Sequence, residues 1–150
     1  MPKLLKDFAT PDVVSVVPET LASVAAQLMR KHHIGALVVV HSRESGYPVG
    51  VLTDRDLVLA LMAEGLDPEL FTVGDVMSVE PILASPEMDA MDAVELMRAH
   101  RLRRLILVDD RRQLAGIVTM EDVLEVLTRE LSNLVVAVIG SRDREFEQRK

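Results

Sequence analysis

The strongest constraint on the fold is an internal duplication. GVLTDRDL at 50–57 and GIVTMEDV at 116–123 share a glycine, a threonine and an aspartate at the same spacing, 66 positions apart. Upstream, VPETLASVAAQLMRKH at 17–32 matches SPEMDAMDAVELMRAH at 85–100 with an offset of 68 positions. The difference between the two offsets falls in one loop, and surface loops absorb such changes easily. The chain is therefore expected to fold as two copies of one unit.

Each copy has the pattern of a helix, two strands and a second helix. The first helix is indicated by apolar residues at the i, i+3, i+4, i+7 spacing of one buried face. These residues are Ala22, Ala25, Ala26 and Met29 in the first copy and Ala90, Ala93, Val94 and Met97 in the second. The runs GALVVV at 35–40 and RLILV at 104–108 are short and rich in β-branched residues. Each run predicts a strand, and a second strand follows after a turn.

The second helix of each copy is expected to begin just after the repeated threonine. In the second copy its apolar residues are Met120, Val123, Leu124, Leu127, Leu131 and Leu134. This regular spacing predicts a helix that continues beyond the repeat. The Val-rich run at 134–139 also fits a strand, so both structures stay open there. Between the copies, Gly65 to Pro68 predicts the end of a helix and a linker.

The size of the copies indicates how they pack. A unit of about 60 residues is marginal as an independent core, so the copies are expected to pack sheet to sheet about an approximate two-fold axis. We therefore predict an α/β (α+β) fold with a first repeat at 1–66, a second repeat at 67–130 and a C-terminal extension at 131–150. The two threonine–aspartate corners would then frame two equivalent clefts.

Composition argues against several classes of function. The formal net charge of −7 opposes nucleic-acid binding, and the arginines within 101–112 have no aromatic residues among them for stacking. The absence of cysteine excludes disulfides, thiolate metal sites and a cysteine nucleophile. The histidines, at positions 32, 33, 41 and 100, lack further ligands at zinc spacing, so we expect no metal site.

The sequence shows no segment with the pattern of a signal peptide or a membrane span. The N-terminal residues lack the apolar core of a signal peptide. The longest apolar run, 57–63, is far shorter than the about 20 residues that cross a bilayer. We therefore expect a cytoplasmic protein without a membrane span.

The repeated threonine and aspartate fit two roles. As a helix cap, the threonine side chain accepts a backbone N–H and the aspartate complements the positive end of the helix. As a binding site, an ionised aspartate accepts hydrogen bonds from both vicinal hydroxyls of a ribose, and the free N–H groups of the helix start suit phosphate oxygens. The roles are compatible, so Asp56 and Asp122 are candidate ribose ligands, and Thr53 and Thr119 are candidate phosphate ligands.

Taken together, these motifs resemble a tandem pair of cystathionine β-synthase (CBS) domains. The resemblance rests on DVMS at 75–78, the Pro-Glu helix openings, RRLILVDD at 103–110 and above all the two G-x-x-T-x-x-D motifs, and it spans about residues 5–130. It implies two β-α-β-β-α units that form an intramolecular pseudo-dimer, with interdomain clefts that often hold adenosine-containing ligands. It also implies regulation rather than catalysis, and a second pairing into a flat disk, which makes a homodimer the expected assembly.

The resemblance also implies which residues share a cleft. Asp122 and Thr119 are expected beside the first lead-in near Thr10, and Asp56 and Thr53 beside the second lead-in near Ser78. Arg103 and Arg104 occupy positions at which family members often carry His or Arg towards phosphate, whereas their counterparts are Gly35 and Ala36. Arg55 is a candidate to compensate for this difference. We therefore expect two unequal clefts.

The function predicted on this basis is a sensor that binds AMP, ADP or ATP between the repeats and signals to a partner. No Ser-His-Asp order, P-loop or H-E-x-x-H motif is present in the sequence, so we expect no enzymatic activity and no required cofactor. Two alternatives stay open. The ligand could be S-adenosylmethionine or another ribosyl compound, or the protein could be a ligand-free interaction scaffold whose threonine–aspartate pairs only cap helices.

Overall fold

The computed structural model describes residues 3–79 and 81–149. The first half contains β1 (Ser15–Val16), α1 (Ala22–His32), β2 (Ala36–Val40), β3 (Pro48–Thr53) and α2 (Asp54–Leu57), which continues as a π-helical turn at Val58–Met62. Short helical turns at Leu5–Asp7 and Pro68–Leu70 precede and follow this half, and α3 (Val73–Val76) leads into the second. The second half contains β4 (Ser78–Val79), β5 (Leu83–Ala84), α4 (Ala90–His100), β6 (Arg104–Val108), β7 (Leu114–Thr119) and α5 (Met120–Gln148).

The strands form two sheets, and each half completes the sheet of the other. The first sheet has the order β1-β2-β3-β4, so β4, from the start of the second half, pairs with β3 of the first. Reciprocally, Thr10 pairs with Ile117 of β7 through two backbone hydrogen bonds of 3.0 Å. The start of the second half therefore supplies an edge strand to the first sheet, and the start of the first half adds a single bridge to the second sheet.

This exchange explains the glycine of the repeated motif. A Cβ atom on Gly50 would lie 2.7 Å from the backbone oxygen of Ser78 in β4, and one on Gly116 would lie 3.0 Å from the backbone oxygen of Thr10. The exchanged segment thus crosses each glycine too closely for a side chain.

Three apolar clusters form the core, and one of them joins the halves. The first half packs α1 against its sheet around Leu37 and Leu52, and the second packs α4 and α5 against its sheet around Leu105 and Val118. Between the two sheets lie the buried side chains Val38, Val40 and Ile106, with half-buried Val51 and Ile117 against them. The predicted fold of two repeats packed sheet to sheet is confirmed.

The outer helices differ more between the halves than the sequence repeat suggests. Gly65, with φ of +66°, ends the first half as predicted, and α2 with its π-helical turn is short. The prediction that Ala26 is buried is wrong, because a groove of about 540 Å³ opens beside it between α1 and that turn. In the second half α5 runs on without a break, so the ambiguous run at 134–139 is helical.

Candidate functional site

The two threonine–aspartate corners have the same geometry. At the start of α2, the backbone N–H of Thr53 donates to Asp56 Oδ2 at 2.9 Å, and that of Asp56 donates to Thr53 Oγ1 at 3.1 Å. At the start of α5, Thr119 and Asp122 make the same two bonds at 2.9 and 3.1 Å. Both corners are therefore capping boxes, and the capping role is confirmed.

Capping leaves part of each carboxylate available. Within residues 3–79 and 81–149, Asp56 and Asp122 each use Oδ2 for the cap, and no hydrogen bond to Oδ1 is present. An ionised carboxylate has about four acceptor positions, so the second oxygen can still accept donors from a ligand. Thr72 and Asp75 form a third capping box, at the start of α3, with a bond of 2.8 Å from the Thr72 N–H. A capping box alone therefore does not mark a binding site.

One cleft between the halves is built around Asp122, and we call it the Asp122 cleft. It encloses about 280 Å³ and includes Thr10, Asp12, Gly35, Ala36, Arg104, Ile117, Thr119 and Asp122 among its lining residues. The lead-in at Thr10 reaches this cleft because it pairs with β7, which ends at Thr119. Thr10, Thr119 and Asp122 thus line one cleft, which is the grouping that the resemblance to CBS domains implies.

A second cleft lies at the equivalent position of the other corner, and we call it the Thr53 cleft. It encloses about 240 Å³ and includes Thr53, Ser78, Val79, Leu102, Arg103, Arg104 and Ile106 among its lining residues. Among the residues that the structure describes, Asp56 and Arg55 do not line it. Asp56 is half-buried at the corner and Arg55 is exposed, so their predicted contacts with a ligand stay predictions.

Charge makes the two clefts unequal. Arg103 and Arg104 both line the Thr53 cleft, and Arg104 also lines the Asp122 cleft together with the acids Asp12 and Asp122. Guanidinium groups suit phosphate oxygens, whereas a carboxylate suits a sugar diol. At the position that corresponds to Arg103, a Cβ on Gly35 would lie 3.0 Å from Asp54 Oδ2. Asp54 thus occupies the space beside Gly35, and among the described residues it lines neither cleft.

Arg103 has a partner that sequence reasoning missed. Its guanidinium donates to Glu121 Oε1 at 2.7 Å, and the two side chains are 74% and 61% exposed. The pKa of Glu121 is lowered, first by a hydrogen bond from its own backbone N–H and second by the bond from Arg103. The two residues are adjacent because β6 pairs with β7: the Met120 N–H at the start of α5 donates to the backbone carbonyl oxygen of Arg103 at 2.8 Å. Glu121 thus competes with any anion that approaches Arg103.

Neither a metal-binding cluster nor a membrane-spanning helix is present in the described ranges. In residues 3–79 and 81–149, no cluster of three or more histidine, cysteine, aspartate or glutamate side chains could hold a metal ion. Over the same part of the chain, no helix combines the length and the apolar character that a bilayer span needs.

Comparison with known proteins identifies the family. The CBS domain model matches residues 5–63 and 73–129. The CBS domain-containing protein YhcV of Bacillus subtilis is 42% identical over 118 residues, which cover 79% of this chain and 81% of YhcV. Both repeats of the chain therefore have counterparts in known sequences.

Solved structures support the same assignment. CBSX2 of Arabidopsis thaliana in complex with AMP has a TM-score of 0.70 and 27% identity, covering 84% of this chain and 96% of CBSX2. The CBS domain pair of protein MJ0100, in complex with 5′-methylthioadenosine and S-adenosyl-L-methionine, has a TM-score of 0.76 and 25% identity, covering 87% of this chain and 99% of that one. This chain belongs to the CBS domain family and carries two CBS repeats.

Proposed function

We propose that this protein is a regulatory module that binds an adenine nucleotide between its CBS repeats and passes a conformational change to a partner. The observation that carries the proposal is the Asp122 cleft, in which the lining carboxylate of Asp122 has one oxygen outside its capping box. Thr119 and Thr10, from opposite halves, line the same cleft. CBS pairs of similar structure hold AMP or S-adenosyl-L-methionine, and adenosine is common to both.

The lining of the Asp122 cleft supplies a contact for each part of a nucleotide. Asp122 Oδ1 would accept the ribose hydroxyls, and charge makes such bonds roughly twice as strong as neutral ones. The half-buried side chains of Val13, Ile34 and Ile117 would pack on the adenine ring. Arg104, which lines both clefts, would donate to a phosphate group.

Regulation requires that the ligand distinguish two arrangements of the protein. A nucleotide in the Asp122 cleft would touch both halves, because Thr10 and Ile34 come from the first repeat and Thr119 and Asp122 from the second. It would therefore favour the arrangement in which these four residues face one another. A ligand with equal affinity for both arrangements would shift neither population.

Two alternatives have support of their own. The single arginine and two acids of the Asp122 cleft also fit S-adenosyl-L-methionine, which carries a ribose and no phosphate. The capping boxes at Thr53 and Thr119 also fit a scaffold that binds no ligand. The first alternative changes only the ligand, whereas the second removes the sensing function.

Thermal unfolding with AMP, ADP, ATP and S-adenosyl-L-methionine tests the proposal. A ligand that binds only the folded state adds about 2.7 kcal/mol of stability at 100 times its Kd. For a chain of this size we expect that to raise Tm by roughly 5 to 10 °C. Absorbance at 260 nm of the purified protein, which has no Trp and one Tyr, would also reveal a nucleotide that copurifies. If none of the four compounds raises Tm, the scaffold alternative is favoured.

Removing the charge of Glu121 is expected to strengthen the binding of phosphorylated ligands. Arg103 lines the Thr53 cleft, so this prediction concerns AMP bound in that cleft. Glu121→Gln frees Arg103 from its 2.7 Å ion pair, and the phosphate no longer has to displace a carboxylate. Water screens the attraction between two exposed side chains, so the affinity for AMP should rise only about two- to fivefold. Calorimetric titration with AMP, and with adenosine as the ligand without phosphate, measures the change.

A matched variant controls for net charge. Glu125→Gln removes the same charge four residues further along α5, where Glu125 pairs with Arg129 at 3.0 Å. It should leave the AMP affinity unchanged. An equal gain in both variants, or an equal gain for adenosine and AMP, would show that Arg103 does not reach the phosphate.

A further inference from the structure

The second part of α5 has no packing partner among residues 3–79 and 81–149. Val126 is the last buried residue of the helix, and every residue from 127 to 149 is exposed. Nevertheless, Leu127, Leu131, Leu134 and the run at 135–139 give this part a high apolar content. An apolar helix surface of this length usually marks a contact with another molecule.

The composition of this helix shows why it needs a partner. The segment at 135–140 reads VVAVIG, and β-branched residues and glycine are weak helix formers. Isolated helices are marginal in water even with favourable sequences, and tertiary packing supplies most of their stability in proteins. The second part of α5 should therefore be stable as a helix only when another surface covers it.

The exposed apolar residues follow the spacing of a helix pair. Leu124, Leu127, Leu131, Leu134 and Val138 are separated by steps of three and four residues, and their exposed fractions lie between 38% and 63%. We call these five residues the α5 stripe. Alternating steps of three and four are the a and d positions of a two-helix coiled coil. The stripe begins within the region matched by the CBS domain model and continues beyond its end at residue 129.

We infer that the α5 stripe binds the α5 stripe of a second copy of this chain, with the two helices antiparallel. In this arrangement Leu131 faces Leu134 of the second copy, and Leu127 faces Val138 of the second copy. The reciprocal pairs follow from the two-fold symmetry. Four apolar layers then form from one self-complementary surface, and Leu124 faces Ser141 of the second copy at each end of the contact.

Charge favours the antiparallel direction over the parallel one. The first part of α5, at 120–130, carries four acids and one base, whereas 140–149 carries three of each. An antiparallel pair places the acidic start of one helix beside the neutral end of the other, and Glu121 comes close to Arg142 of the second copy. A parallel pair would place the two acidic starts side by side and align the helix dipoles unfavourably.

The size of the stripe sets the strength of the contact. Residues 124–138 span about 21 Å of helix. The area that this short stripe can bury is therefore smaller than the roughly 800 Å² per partner of a standard interface. We therefore expect a dissociation constant on the order of micromolar, which is weak for a specific protein–protein contact. The helicity of this segment should then rise with protein concentration. This inference concerns a different surface from the clefts and does not depend on nucleotide binding.

Sedimentation of the full chain without nucleotide tests the contact. The mass should rise from 16.6 kDa towards twice that value across the micromolar range, together with the circular dichroism at 222 nm. Leu131→Ser with Leu134→Ser should weaken association at least tenfold. Val136→Ser is the control, because Val136 is exposed on the other side of the same helix, and it should associate within about twofold of the unmodified chain. A monomer at all concentrations, or equal association of both variants, would overturn the inference.

Disulfide trapping tests the direction, because the chain contains no cysteine. Under mild oxidation, Leu127→Cys mixed with Val138→Cys should give a cross-linked heterodimer, since these positions face each other in the antiparallel pair. Leu127→Cys alone should give little cross-linked product. Rapid cross-linking of Leu127→Cys to itself would show a parallel pair and refute the arrangement.

Discussion

Asp122→Asn is expected to lower the affinity for adenine nucleotides by about 10- to 100-fold. The substitution keeps an acceptor for the capping bond but removes the charge from the carboxylate that lines the Asp122 cleft. A hydrogen bond to a charged group contributes about 1.5 to 3 kcal/mol, and each 1.4 kcal/mol corresponds to a tenfold change in Kd. Calorimetric titration with whichever adenine nucleotide stabilises the unmodified protein measures the loss.

The control for this prediction is built into the chain. Asp75→Asn makes the same change in the capping box of Thr72, which starts α3 and lines neither cleft in the described part of the chain. Both variants should lose at most about 1 kcal/mol of stability from the weakened cap. Only Asp122→Asn should lose affinity. If its affinity matches that of Asp75→Asn, the ribose does not bind at Asp122.

Gly50→Ala is expected to destabilise the protein by about 1 to 3 kcal/mol, the range for forced overpacking. The added Cβ would lie 2.7 Å from the backbone oxygen of Ser78 and 2.8 Å from the sulfur of Met77. The sulfur can move, but the backbone oxygen belongs to β4 and can move only with that strand. The exchanged strand would be pushed away from β3, and the Thr53 cleft, which Ser78 and Val79 line, would widen.

Gly140→Ala is the same substitution at another position, and we expect it not to destabilise the protein. Gly140 lies in α5, and apart from the neighbouring backbone of that helix no atom of the described residues lies within 4 Å of the position that its Cβ would take. Alanine is the better helix former by about 0.8 to 1 kcal/mol, so this variant should be as stable as the unmodified chain or slightly more stable. Urea unfolding of both variants measures the difference. Equal stability of the two would mean that β4 does not cross Gly50 closely.

The fold could be predicted from the sequence to an unusual depth because the chain is duplicated. The offset between the copies aligns Thr10 with Ser78 and Gly35 with Arg103. The structure then brings Thr10 to Asp122 and Ser78 to Thr53. A motif that occurs twice restricts the possible arrangements far more than the same motif alone.

The directions of individual side chains, and the ion pairs that they form with neighbours, could not be predicted from the repeat. The repeat treats Asp56 and Asp122 as equivalent, yet only Asp122 is among the described residues that line a cleft. The pair between Arg103 and Glu121 joins residues 18 positions apart and depends on how a strand end meets a helix start. Hydrophobic spacing at 134–139 fits a strand or a helix equally, and only the continuous backbone of α5 decides between them.

The exchange of edge strands has a consequence for the cooperativity of the whole molecule. β4 of the second half completes the first sheet, and Thr10 of the first half pairs with β7 of the second sheet, so each half forms backbone hydrogen bonds with the sheet of the other. Melting one half removes hydrogen bonds from the other, and we therefore expect both to unfold in a single transition. A chain cut in the linker at residues 66–67 would give two fragments, each missing an edge that only the other can restore.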